Sequence, residues 1–193
     1  MSKIEVHPLK PFLPSGGTIL FLGSFPPPKA RWSMDFFYPN FINDFWRIMG
    51  IIFFADKEHF VVKGEKRFDF GMVTAFARDK GFGFFDTATK VNRLKDNASD
   101  EFLEIVEPTD IRALLRQMPD CRRIVTTGGK ASRQLMLQFG IEKEPKIGTF
   151  TRLNITAEDE KELFIEWWRM PSSSRAYPLN INKKADFYRM LFE

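Results

Sequence analysis

Cysteine and histidine are nearly absent from these 193 residues. The one cysteine, Cys121, excludes an internal disulfide and a cysteine-ligated iron–sulfur cluster, both of which need further thiols. Two histidines, His7 and His59, argue against a histidine-based metal site. No apolar run approaches the roughly 18 residues of a membrane span. The opening segment, MSKIEVHPLKPFLPSGG, holds no apolar stretch of signal-peptide length. Internal repeats are missing, and so is any linker long enough to separate domains. These absences predict a metal-free, cytoplasmic protein folded as one domain over residues 1–193.

What is present is apolar and aromatic. Hydrophobic residues make up 44% of the chain, which excludes a disordered protein. The formal net charge is +4. That permits binding to phosphate backbones without requiring it. Twenty-two phenylalanines exceed what a core of this size usually needs. Most belong in the core, and a minority clustered in residues 32–46 is available to stack on a base.

One stretch, residues 19–50, organises the rest. Ile19-Leu20-Phe21-Leu22 fits a buried strand. Gly23 and Ser24 end it, and Pro26-Pro27-Pro28 forbid a regular continuation. A basic and aromatic loop follows with Lys29, Arg31, Trp32, Phe36, Phe37 and Tyr38, and a helix is predicted to start near Phe41 and to carry Asn43, Phe45 and Trp46. A buried strand that ends in a stiff loop at the C-terminal edge of a sheet is where α/β proteins place ligand sites.

Further along, Phe68, Met72, Val73 and Phe76 recur at helical spacing and predict a helix over 65–80, ended by Gly81. Asn97 to Asp100 has the composition of a helix cap, and predicts a helix over about 100–106. Ile111 to Met118 reads as another helix with Pro108 near its first turn. Arg122 to Thr127 is a strand, and Gly128-Gly129-Lys130 turns into a helix of about 130–139 capped by Gly140. That glycine turn lacks the spacing of a Walker phosphate loop. Strands follow at 146–156 and 162–169, then a last helix at 182–192. Strands alternating with helices predict a parallel sheet covered on both faces.

Three short motifs in this order give the chain a family resemblance. Gly23-Ser24-Phe25-Pro26 after the first strand, Asn43-Asp44-Phe45-Trp46 at a helix start, and Met170-Pro171-Ser172-Ser173-Ser174-Arg175 after the last strand resemble the motifs of the uracil-DNA glycosylase superfamily. The Gly-Ser-x-Pro form is similar to the hypoxanthine- and uracil-excising branch, and Gly128 to Ala131 matches the family's Gly-x-x-Ala turn. The resemblance implies an α/β fold, specifically a three-layer α/β/α sandwich with a central four-stranded, mostly parallel sheet. It also implies a monofunctional, cofactor-free glycosylase of monomeric form. Its partner would be double- or single-stranded DNA carrying a deaminated base, uracil or hypoxanthine.

By resemblance, Asn43 is the catalytic residue, orienting water or bonding the base edge, although an asparagine at a helix start also serves the backbone. Gly23, Ser24, Phe25, Pro26, Phe37, Tyr38 and Asp86 line the base pocket, with Phe36 a further stacking candidate. Lys29, Arg31, Lys130, Pro171, Ser172, Ser173, Ser174 and Arg175 face DNA. Two positions depart from the faster branches. Phe25 stands where those keep Asp or Asn, and Met170 where they keep His. Phe25 cannot activate water, so Asp35 in the loop is the candidate substitute, with a solvated loop acid as the alternative. Both departures point to a slower or differently selective enzyme, or to a lesion-binding module that has kept the fold and lost catalysis. Hydrolysis or binding of a free nucleoside or nucleotide is a third reading.

Overall fold

The computed structural model describes residues 4–94, 102–156 and 162–193. Among them, eight strands form two sheets and five α-helices surround them. The larger sheet runs in the order β3 (Phe82–Asp86), β2 (Ile19–Gly23), β6 (Arg123–Thr127), β8 (Glu162–Met170), β7 (Thr149–Thr156). The first four are mutually parallel, and β7 pairs antiparallel with β8. The sheet is therefore mixed and five-stranded, not the four-stranded one expected. β7 and β8, consecutive in sequence, lie side by side in opposite directions.

Every residue of β2 and β3 is buried, as expected of parallel strands covered on both faces. Side chains alternate between the faces. Phe21 packs edge-on against Phe45 of α1 (Phe45–Phe54), with ring centroids 5.3 Å apart, and lies flat on Phe84. Leu20 faces the other way, toward Met118, which follows α3 (Ile111–Arg116). Helices thus cover both faces. On the Phe21 side α1 packs with α5 (Ile181–Arg189), and α2 (Phe70–Asp79) adds Phe76 against Phe82.

The helix starts follow capping chemistry. Asp69, Asp110 and Asn180 each accept a backbone N–H three residues on, at the heads of α2, α3 and α5. The head of α1 differs from expectation. The helix begins at Phe45, not Phe41, so Asn43 lies in the loop before it. In α4 (Gly129–Phe139), Gly128 at the entry has φ of 119° and Gly140 at the exit φ of 64°, both left-handed positions that favour glycine.

The small sheet was not foreseen. β1 (Ile4–Val6), β4 (Ala88–Arg93) and β5 (Leu103–Pro108) pair antiparallel in the order β1-β4-β5. The helix expected over 100–106 is replaced by β5, and the Asn97–Asp100 cap lies outside the described residues. Alternation decides for strand: Leu103 is buried, Glu104 exposed, Ile105 half-buried, Val106 exposed. The inner face of this sheet closes a second apolar cluster of Phe25, Ala88, Val91 and Leu103.

Candidate functional site

The C-terminal ends of β2, β3, β6 and β8 meet at one edge of the large sheet, in register Gly23 beside Asp86 and Thr127 beside Met170. The motif loop leaves this edge after Gly23. It is held stiffly. Pro26 O accepts from Arg93 Nη2 at 3.0 Å, Pro27 O from Trp32 Nε1 at 2.8 Å, and Pro28 O from Arg31 N at 2.9 Å. Arg93, its side chain nearly buried, also forms a double hydrogen bond with Glu5 of β1, at 2.9 and 3.0 Å.

Asp86 ends β3 with a buried carboxylate. Its Oδ2 accepts from His7 Nε2 at 2.9 Å, and a Cβ at Gly23 would collide with its Oδ1. The His7 ring, itself 3% exposed, is clamped between Phe85 and Phe25, 4.6 and 5.2 Å away. Its Nδ1 is within hydrogen-bond reach of the Leu9 backbone, so the lead-in segment fixes the ring. The sequence reading weighed His7 only as a metal ligand and missed this pairing. No pattern in the sequence brings positions 7 and 86 together, because the small sheet that does so was not recognised.

Tyr38 stands at the same edge. Its φ of 52° is unusual for a residue with a side chain. The conformation lays its ring flat on Phe45, centroids 4.0 Å apart and 5° between planes, and its hydroxyl bonds Thr127 Oγ1 at 2.8 Å. Burial drives its ionisation far above the usual phenol range, and the nearby Asp86 charge adds to this while the Thr127 bond opposes it. Phe36 and Phe37 are 5% and 4% exposed and are packed among Phe12, Phe84 and Phe85. They belong to the core, because rings of that size close the end of the sheet; of the three stacking candidates, Tyr38 alone retains partial exposure.

Asn43 is half-buried, and its Oδ1 accepts from Phe45 N at 2.9 Å. The backbone alternative is therefore realised by the oxygen, which leaves the NH₂ end as the donor it offers a ligand. Its neighbour Asp44 ties two motifs together. Asp44 N donates to Ser173 O at 2.9 Å, and its buried carboxylate meets Lys184 Nζ at 2.8 Å and Arg175 Nη2 at 3.6 Å. The serine loop is shaped from within: Ser172 Oγ accepts from Ser174 N, and Ser174 Oγ from Ala176 N. Pro171 and Ser173 are buried, whereas Ser174 and Arg175 are exposed.

The remaining candidates are dispersed. Asp35 is exposed and ion-paired with Lys29, whose ammonium also lies 3.9 Å from the centre of the Trp32 ring. It occupies the outer rim of the loop, and Asp86 is instead the carboxylate beside Gly23. Arg31 is exposed on a 3₁₀ turn next to Lys29. Lys130 Nζ donates to Leu103 O, which joins α4 to the small sheet and gives it a structural partner. Phe25 and Ser24 are both buried; Phe25 packs in the second cluster, behind His7, and Met170 is buried at the end of β8. No group of three or more potential metal ligands occurs among the described residues, and no described helix is long and apolar enough to cross a membrane.

Neither a protein-family model nor a curated protein sequence matches this chain. Among solved structures, it is similar to the solution NMR structure of a Methanosarcina acetivorans protein provisionally assigned as a uracil DNA glycosylase. The two share 20% identity over 99% of this chain and 100% of that one, with a TM-score of 0.64. At that identity the likeness establishes a shared α/β fold.

Proposed function

We propose that this chain is a member of the uracil-DNA glycosylase superfamily, one domain over residues 1–193, that hydrolyses the N-glycosidic bond of a deaminated base in DNA. One observation carries the reading. The asparagine motif and the Pro-Ser loop, far apart in sequence, are joined by the hydrogen bond from Asp44 N to Ser173 O at 2.9 Å. Base excision needs such a pair: a group facing the extruded base, and a segment that occupies the space it leaves in the duplex.

Cleavage passes through a sugar with cationic character and a base leaving as an anion. Asn43 donates from its NH₂ to a carbonyl of the base or to the attacking water, in keeping with its Oδ1 being occupied by Phe45 N. Asp86, held by His7, is the carboxylate that favours the positive sugar and orients water. Tyr38, the partly exposed ring at this edge, stacks on the base. Ser172 to Arg175 enter the groove, and Arg175, Lys29 and Arg31 meet phosphates. Water is the only co-substrate, and the protein acts as a cytoplasmic monomer.

Duplexes carrying uracil, hypoxanthine or xanthine, assayed for alkali-labile sites, test this. Release of one base is the expected result, with Asn43→Ala lowering the rate about 100-fold or more. Product from Asn43→Ala at the wild-type rate removes Asn43 from the mechanism. A second reading, a lesion-binding module without catalysis, is favoured by one feature. Phe25 fills an apolar cluster with Ala88, Val91 and Leu103, so the position where faster enzymes keep a water-activating group is sealed. Binding to these duplexes without base release would select it.

A further inference from the structure

Lys184 of α5 has no exposed surface. An ammonium is costly to bury unless fully paired. Its Nζ donates to Asp44 Oδ2 at 2.8 Å and to Ser174 O at 2.7 Å. One turn further along α5, Tyr188 Oη donates to Pro171 O at 2.9 Å. A single face of the last helix therefore grips the serine loop at both ends. Through Asp44 the same lysine also grips the start of α1. A buried ion pair contributes little net stability compared with an apolar replacement, so geometry is the better account of why it is there.

We infer that Lys184 is a positioning residue that locks the Pro171–Arg175 loop to Asn43 before DNA binds. The inference rests on the glycosylase reading for its consequence and on the hydrogen bonds alone for its structure. With the anchor in place, the loop enters the duplex at a fixed offset from the group that faces the extruded base. Without it, the loop keeps its bonds at Pro171 O and Ser173 O and the longer Arg175–Asp44 contact at 3.6 Å, and Ser174 loses its anchor. The effect falls on duplex substrates, where a gap must be filled. A single strand has no gap to fill and depends less on the loop's register.

The test uses the full chain with Lys184→Met. Amide exchange is followed at Asp44, which bonds Ser173 O, and at Tyr177, which bonds Ser174 O. Both are expected to exchange at least about tenfold faster, with the β2 and β6 amides unchanged. The kcat/KM on a uracil duplex is expected to fall at least about tenfold, and on the same sequence as a single strand less than about twofold. Unchanged exchange at Asp44 overturns the inference. So does an equal loss on both substrates, the signature of a lysine that only supports folding. If the wild-type chain releases base from neither substrate, the glycosylase reading fails, and the exchange result alone decides whether Lys184 holds the loop. Should Lys184→Met not fold, the double variant Lys184→Met with Asp44→Asn leaves no unpaired buried charge and takes the same measurements.

Discussion

Gly23 is required by space and not by backbone conformation, since its φ is not left-handed and a Cβ there would meet Asp86 Oδ1. Gly23→Ala forces the carboxylate away from His7 or the two strands apart. The expected cost is about 1–3 kcal/mol in urea unfolding. Wild-type stability for this variant would mean that Asp86 moves freely. Tyr38 gives a prediction in pH. Burial raises its ionisation far above that of an exposed phenol, and Tyr188 is raised for the same reason. The folded chain therefore keeps protons that the unfolded chain releases near pH 10. Stability is complete below that pH and falls above it. In an alkaline titration, the tyrosinate absorbance of Tyr38 and Tyr188 should appear together with unfolding. Loss of signal in Tyr38→Phe assigns it, and a Tyr38 signal near pH 10 from an intact fold would contradict the burial. At this scale, Gly23 and Asn43 were singled out because each sits in a short motif, and Asp86 by resemblance. His7 was not, because its role depends on a partner 79 positions away.

Elements were legible where periodicity and caps agree, and misread where a cap stood alone. The helix α4, and the strands β2, β6, β7 and β8, lie within a few residues of their expected bounds, whereas α2 begins at Phe70 and leaves Phe68, bridged to Val61, in the loop before it. The head of α1 was placed four residues early, because the apolar pattern already starts at Phe41, which packs beside Phe68 from the loop instead. The small sheet escaped notice because β4 is polar and short and the Asn-Ala-Ser-Asp segment resembles a cap. Yet that sheet stiffens the motif loop. Arg93 of β4 reaches from Glu5 to Pro26 O, across two elements and the loop. Arg93→Ala removes a buried cation and leaves Pro26 O without this donor. The expected loss is about 1.5–3 kcal/mol. Faster proteolysis within residues 26–40 should accompany it, whereas cleavage confined to the β7–β8 hairpin would show that the loop does not depend on Arg93.

For the whole molecule, the alternation of strands and helices was sufficient to predict a covered parallel sheet, and the apolar run of β2 to predict which strand lies inside it. The antiparallel β7 was not foreseen, since a strand pair around a polar turn is compatible with more than one place in a sheet. Charge is the remaining whole-molecule property, and +4 is too small to define a binding face by itself. The structure narrows the cations. Lys130 is half-buried with its Nζ on Leu103 O, and Lys184 is fully buried on Asp44, so neither presents an exposed cation. Lys29, Arg31 and Arg175 are exposed around the two motif loops. Three phosphate contacts correspond to a slope of about −2.7 in log affinity against log salt concentration. Duplex affinity should therefore fall roughly 40-fold between 50 and 200 mM salt. Arg175→Ala should make the slope shallower by about 1, and Lys130→Ala should leave it unchanged. A Lys130→Ala slope shallower by the same amount would mean that its bond to Leu103 yields to DNA. A wild-type slope near zero would remove phosphate contact, and with it the electrostatic half of DNA binding, from this surface.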